Sequence, residues 1–173
     1  IRGVPKSVTD NLVSKLRTFF DVSEVPLDEK DIRKQVDNLL TGGKDGVRLL
    51  LYGLTEERLL VLGLDDFERV RAITPYFHSD LYHKLNVSVV DHVILEKLLG
   101  ITYDKAHDYL DYCSDSVEAI NSVGNEFRIA ILLNPVKPDA LKAIADSGDR
   151  MPRKSTYFYP KIPTGLVFYR FGC

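Results

Sequence analysis

The sequence predicts an α+β fold in which helices pack on a mixed, mainly antiparallel sheet. Three observations predict it. Apolar residues recur at helical spacing in several segments bounded by capping residues and glycines. Two adjacent apolar runs, Val47 to Tyr52 and Arg58 to Leu64, are separated by the polar stretch Gly53-Leu-Thr-Glu-Glu57, the pattern of a β-hairpin. Beyond residue 100, short strand-like and helix-like segments alternate. A chain of 173 residues buries roughly 70% of the surface its unfolded form exposes. We therefore expect one domain over 1–173, with a weak boundary near 65–80 that would divide it into lobes.

The elements follow in order. Ser7 to Phe20 is expected as the first helix, with Val8, Leu12, Leu16 and Phe19 on one face. Val22 to Leu27 is a short extended stretch, limited by Pro26 to a sheet edge or a strand end. A second helix should run from Leu27-Asp28 to about Thr41 and stop at Gly42-Gly43. The hairpin comes next. A charged, broken stretch from Asp65 to Leu85 contains Thr74-Pro75. Ser88-x-x-Asp91 has the form of a capping box opening a helix with Val90, Val93, Ile94, Leu95 and Leu98 inside, ended by Gly100. His107 to Tyr112 is expected as a strand and Asp115-Ser-Val-Glu118 as the cap of a helix reaching Gly124. Phe127 to Leu133 is expected as an apolar strand covered on both faces. Pro138 opens a helix with Gly148 just beyond its end. Thr156 to Tyr159 and Leu166 to Phe171 are expected as the last strands.

Charge and composition limit the partners. Lys and Arg number 23 against 25 Asp and Glu, a net charge of −2, so electrostatics alone will not hold nucleic acid or an acidic membrane. No apolar run approaches the ~18 residues of a membrane span, and no membrane partner is expected. Cys113 and Cys173 form no CxxC pair, which fits two thiols in a reducing, cytoplasmic setting better than a disulfide. Ile1-Arg-Gly-Val-Pro5 reads like the interior of a longer polypeptide.

Familiar catalytic patterns are absent. His78, His83, His92 and His107 show no HExxH spacing and no partner at i, i+4 for a metal. His78 and His83 flank Asp80 in what reads as a solvated loop, and His92 reads as a partly exposed surface residue. No metal site is expected. Gly42-Gly43-Lys44-Asp45-Gly46 follows a helix and precedes a strand, the wrong order for a phosphate loop, and reads as a helix end plus a turn.

One segment stands out. Arg150, Arg153, Lys154 and Lys161 fall within twelve positions of a chain otherwise biased toward acid. Ser155 and Thr156 stand beside them, and Tyr157, Phe158 and Tyr159 follow. Cations and hydroxyls near backbone N–H groups are what an anion requires, and aromatic side chains offer a stacking face for a base. Arg150, Arg153, Lys154, Ser155, Thr156, Tyr157, Tyr159 and Lys161 are the candidate anion- or nucleotide-binding residues. The alternative is an ordinary loop, with Tyr157 and Tyr159 on one strand face and Phe158 in the core. No catalytic residue is assigned.

The same segment carries a family resemblance. Arg150-Met-Pro-Arg-Lys-Ser-Thr-Tyr-Phe-Tyr-Pro-Lys161, followed by Thr164-Gly-Leu-Val167, resembles the C-terminal signature of domain-of-unknown-function family 1015, M-P-x-K-S-T-x-F-x-P-K and then G-L-V. Leu85-Asn-Val-Ser-Val-Val-Asp-His-Val-Ile-Leu95 with Leu99-Gly-Ile101 is similar to the family's L-D-V-S-x-L-H-x-x-I-L…L-G-I block. Phe127 to Pro135, the helix after it and Ser147-Gly148 also agree, and Ile1 to Pro5 resembles the segment after a family Pro-Thr-His-Arg run. The resemblance is specific from about Leu81 to Val167. Asn86 departs from the family's Asp, and Asp91 from its frequent Leu. The resemblance implies the C-terminal part of a longer protein, whose N-terminal part would carry an Asp-Gly-His-His-Arg motif similar to one in free-serine kinases related to the ParB-like superfamily. Nothing in these residues matches that motif. The implied role is an accessory domain lending a phosphate-binding loop to a nucleotide-dependent small-molecule kinase site, with the N-terminal part as its partner and a nucleotide as cofactor of the intact protein. The competing expectation is a non-catalytic interaction module docking a partner domain or a second subunit as a homo-oligomer. A DNA-binding module is disfavoured by the charge balance and by the lack of a helix-turn-helix stripe.

Overall fold

The computed structural model describes residues 1–42, 46–64 and 66–156. Among these residues four strands form one sheet: β1 (Asp21–Pro26), β2 (Val47–Tyr52), β3 (Arg58–Leu64) and β4 (Ala130–Leu133). Their order is β1-β3-β2-β4, and every pairing is antiparallel. The helices are α1 (Lys6–Thr9), α2 (Leu12–Leu16), α3 (Ile32–Thr41), α4 (Glu68–Arg71), α5 (Asp80–His83), α6 (Asn86–Val89), α7 (Ala106–Tyr109), α8 (Ser116–Asn121) and α9 (Pro138–Asp146), with a π-helix over Val90–Leu98. The α+β expectation holds.

Strand alternation builds two cores. Leu49, Leu51, Leu60, Leu62 and Leu64 point to one face, where Leu12, Leu16, Val70 and the π-helix residues Val93 and Ile94 meet them. Leu50, Leu59, Val61 and Leu132 point to the other, against Val36 and Leu40 of α3 and Ile120 of α8. Burying each such side chain is worth about 1.5–3 kcal/mol, so the central strands β2 and β3, buried on both faces, contribute strongly to stability. Their apolar stretches, Leu49 to Leu51 and Leu59 to Leu62, reflect helices on both sides. β4 behaves likewise, Leu132 joining one core and Ile131 and Leu133 the other. The hairpin turn depends on Gly53 at φ +100°, where a Cβ would lie 2.2 Å from the Arg128 carbonyl oxygen. A satellite core of Tyr82, Leu85 and Ile144 joins α5 to α9.

Among the described residues β1 lies at the sheet edge, the position Pro26 favours. Its outward groups are partly covered. Arg17 Nη1 donates to the Val22 carbonyl at 3.1 Å, Gln35 Nε2 donates to the Pro26 carbonyl at 2.8 Å, and Pro26 has no N–H.

Several boundaries differ from expectation. The first helix is two, α1 and α2. The Thr9 hydroxyl bonds the Lys6 carbonyl and the Thr18 hydroxyl bonds the Lys15 carbonyl, competing with helix continuation at both points. α3 starts at Ile32 because Asp31, not Asp28, accepts a first-turn N–H, from Lys34. Asp28 instead closes a turn onto the Lys30 N–H. The capping box at Ser88 and Asp91 does not form. The helix begins at Asn86, Ser88 is buried inside it, and from Val90 the chain winds as a π-helix, with the Leu99 N–H returning to the Ile94 carbonyl. The strand expected at His107 to Tyr112 is α7, which ends where the Tyr109 carbonyl takes the Arg2 N–H. Asp115 caps α8 through the Val117 and Glu118 N–H groups, and Pro138 opens α9, both as expected. Thr156 is not in a strand. The rest of that expected strand, Leu166 to Phe171 and Cys173 lie outside the described residues, as do Gly43, Lys44 and Asp45.

Candidate functional site

The cationic segment starts where α9 ends. Gly148 adopts φ +75°, its N–H returns to the Ala145 carbonyl and the Asp149 N–H to that of Ile144. This paired closure satisfies the last carbonyls and turns the chain sharply, so Asp149 meets the segment before α5. Its carboxylate accepts three hydrogen bonds: from His78 Nδ1 at 2.9 Å, from the Ser79 N–H at 2.7 Å and from the Arg150 N–H at 2.7 Å. An ionised carboxylate only accepts, so His78 carries its proton on Nδ1. Burial alone would raise the Asp149 pKa. The donors at Ser79, His78 and Arg150 outweigh it and hold the carboxyl well below the usual range. The pair is well covered, with side chains 15% and 10% exposed.

The clamp continues inward. The His78 ring stacks on Tyr82 with centroids 3.7 Å apart and planes within 4°. Ser79 caps α5 by accepting the Tyr82 N–H. The Tyr82 hydroxyl stands 3.4 Å from His92 Nε2, and His92 Nδ1 stands 2.8 Å from Glu96 Oε2. With Glu96 accepting, the bonds run in one direction: phenol to imidazole, imidazole to carboxylate. Burial and the Asp91 charge push the Tyr82 phenol up to about 12, so Tyr82 donates without ionising. Ser88 lies beside it, its hydroxyl lacking a partner of hydrogen-bonding geometry among the described residues. Burial, reinforced by Glu96, raises Asp91 to about 7.

The histidine expectations are corrected here. His78 is part of a partly buried clamp and His83 is buried, its Nδ1 without a partner among the described residues, its pKa lowered by burial. His92 does have a partner at i+4, Glu96, and is largely covered. The sequence signals were the His92-x-x-x-Glu96 spacing and an Asp following the glycine after α9. Neither pattern has the spacing of a metal site.

Arg150, Arg153, Lys154, Ser155 and Thr156 lie in one short segment that turns at Arg153 and Lys154. Met151 packs against the satellite core and Pro152 is buried, which fixes the turn's base. Arg153 lies over the Tyr103 ring, 3.7 Å from its centroid. The Ser155 hydroxyl donates to the Pro152 carbonyl at 2.6 Å, and Lys154 adopts φ +53°. Arg150, Arg153, Lys154 and Thr156 are exposed and Ser155 is half-buried. Tyr157, Tyr159 and Lys161 lie outside the described residues. A concavity of about 400 Å³ opens over β1 and β3 and another of about 310 Å³ beside the start of α3; neither is lined by this turn among the described residues. Among those residues no three His, Cys, Asp or Glu side chains converge to hold a metal, and no helix is long and apolar enough to cross a membrane. Cys113 has a free, exposed thiol whose pKa is raised by burial and by Glu118, so it is not an activated nucleophile. No family model, no curated protein and no solved structure matches the chain.

Proposed function

We propose that the turn beginning at Asp149 is an anion-recognition element, lent by this module to a phosphate-handling site of a longer polypeptide, in line with the resemblance to family 1015. The observation that carries it is the Asp149 clamp. Three hydrogen bonds anchor the first residue of a turn rich in cations, so Arg150, Arg153 and Lys154 stand on a rigid base and a ligand need not order the backbone. In this reading Arg150 and Lys154 hold phosphate oxygens, Thr156 donates a hydrogen bond, and Arg153 leaves Tyr103 to reach the ligand or holds the turn from that ring. Tyr157, Tyr159 and Lys161 complete the set. In an intact kinase-like protein such charge positioning is the main catalytic device. The test is calorimetric titration of the chain with inorganic phosphate and with ATP. Saturable binding lost in Lys154→Ala and Arg150→Ala supports the reading. Binding that is absent, or unchanged in both variants, overturns it.

A second reading is favoured by a separate observation. Tyr76 is 96% exposed and Phe77 70% exposed on the loop leading into α5, with Leu81 beside them. These side chains suit docking of a partner domain or a second copy, as an interaction module requires. Sedimentation of the chain and of the Tyr76→Ser/Phe77→Ser double variant decides it: association abolished by the substitutions favours this reading, and a monomer in both removes its homo-oligomeric form.

A further inference from the structure

The sheet face away from the π-helix carries an opening beside a guanidinium whose Nε–H has no acceptor among the described residues. Strand register sets Asp21, Gly63 and Arg48 side by side in one cross-strand row, with Ser23 and Val61 in the next. The rows of Leu50, Leu59 and Val61 are closed by Val36 and Leu40 of α3, but the row of Gly63 takes no part in that core. Gly63 supplies no side chain, and no heavy atom lies within 4 Å of where its Cβ would be. The result is a groove of about 400 Å³. Its walls are Arg48 and Arg17 on the basic side, Phe20 and Val61 as apolar surface, and Ser23 and Asp21 along the edge strand.

Arg48 is the decisive residue. Its Nε is covered by protein yet has no acceptor among the described residues. Arg48 also lines the groove, so an oxyanion reaching in would take a charge-assisted bond from the open side of its guanidinium. Arg17 is already fixed at the mouth by its bond to the Val22 carbonyl and its 3.8 Å approach to Glu24. Asp21 sets the charge limit. It stands about 10 Å from Arg48, two strand spacings away, and would repel a second negative charge. We propose that this groove binds a small monocarboxylate, its oxygens on Arg48 and its hydrocarbon part over Val61 and Phe20. The volume is at the small end of the range for small-molecule sites. The groove shares no residue with the Asp149 turn, so the two assignments stand or fall separately.

The test follows the Nε–Hε resonance of Arg48 in the isotopically labelled chain during titration with sodium acetate, sodium butyrate and inorganic phosphate. Gly63→Val fills the floor at a position free of steric conflict, so thermal stability should hold or rise while binding is lost. Arg48→Met should weaken binding by ~10-fold or more, and it provides the readout should the valine variant fold poorly, by loss of the saturable shifts at Ser23 and Val61. The expected result is a saturable shift, tighter for butyrate than for acetate and weakest for phosphate. A linear response to all three probes overturns the proposal. So does tighter binding of phosphate than of the carboxylates, and so does undiminished binding in folded Gly63→Val.

Discussion

The clamp at Asp149 and the groove at Arg48 treat buried polarity in opposite ways. At Asp149 the carboxylate has three donors, and the His78 imidazole, Ser79 hydroxyl and Tyr82 phenol each engage a partner, while the nearby Ser88 hydroxyl and His83 Nδ1 have none among the described residues. At Arg48 a covered N–H has none among the described residues, and the strand beside it carries a glycine where a side chain would have closed the gap. A satisfied network holds two chain segments in register. An unsatisfied donor next to free volume leaves energy to be gained from a ligand. The two regions separate a group used for holding the fold from one left available.

The largest effect is expected at the clamp. Asp149→Ala strands the His78 ring, the Ser79 N–H and the Arg150 N–H, and should cost about 3 kcal/mol in urea denaturation. Arg48→Met removes an orphan donor instead of creating one, and should change stability by less than about 1 kcal/mol in either direction. Equal losses in the two variants would break the comparison.

pH sharpens it. Asp149 has its pKa depressed in the fold, so its stabilisation is present above the ordinary carboxylate range and is lost as pH falls toward the folded value. Asp91 has the opposite sign. Its pKa rises from 3.8 to about 7, so the fold is favoured by the protonated form, and stability should decline between pH 4 and 7, on the order of 1 kcal/mol per unit at most. Asp91→Asn should flatten the urea midpoint over that window, whereas Asp149→Asn should flatten it only at lower pH. A decline that persists in Asp91→Asn would refute the assignment.

The smallest effect belongs to the exposed edge of the turn. Arg153→Ala removes the contact with Tyr103 and should cost about 0.5 kcal/mol, while Arg153→Lys recovers part of it. A loss as large as that of Asp149→Ala would mean that the cation–aromatic contact, rather than the carboxylate, anchors the turn.

Much of the fold was legible where local signals and tertiary packing agree. The hairpin, the edge placement forced by Pro26, the Asp115 cap and the Pro138-to-Gly148 helix all follow from short-range chemistry. The misplaced elements share a different cause. Thr9 and Thr18 end helices through hydroxyl bonds that periodicity cannot register. Ser88 looked like a cap, but it lies within an apolar run whose burial pulls the helix start back to Asn86. Of the site, the sequence revealed the cations but not what supports them. Asp149 and His78 are 71 positions apart, and no short-range pattern reports that they touch. The π-helix was equally hidden, because its apolar spacing over nine residues resembles that of an ordinary helix.

The covered edge of β1 has a practical corollary. A strand with two of its outward carbonyls occupied by Arg17 and Gln35, and whose end lacks an amide hydrogen, is a poorer template for another chain to lengthen the sheet. Concentrated solutions of the protein should therefore resist fibril growth from that side, and replacing both Arg17 and Gln35 by alanine is the change that would invite it.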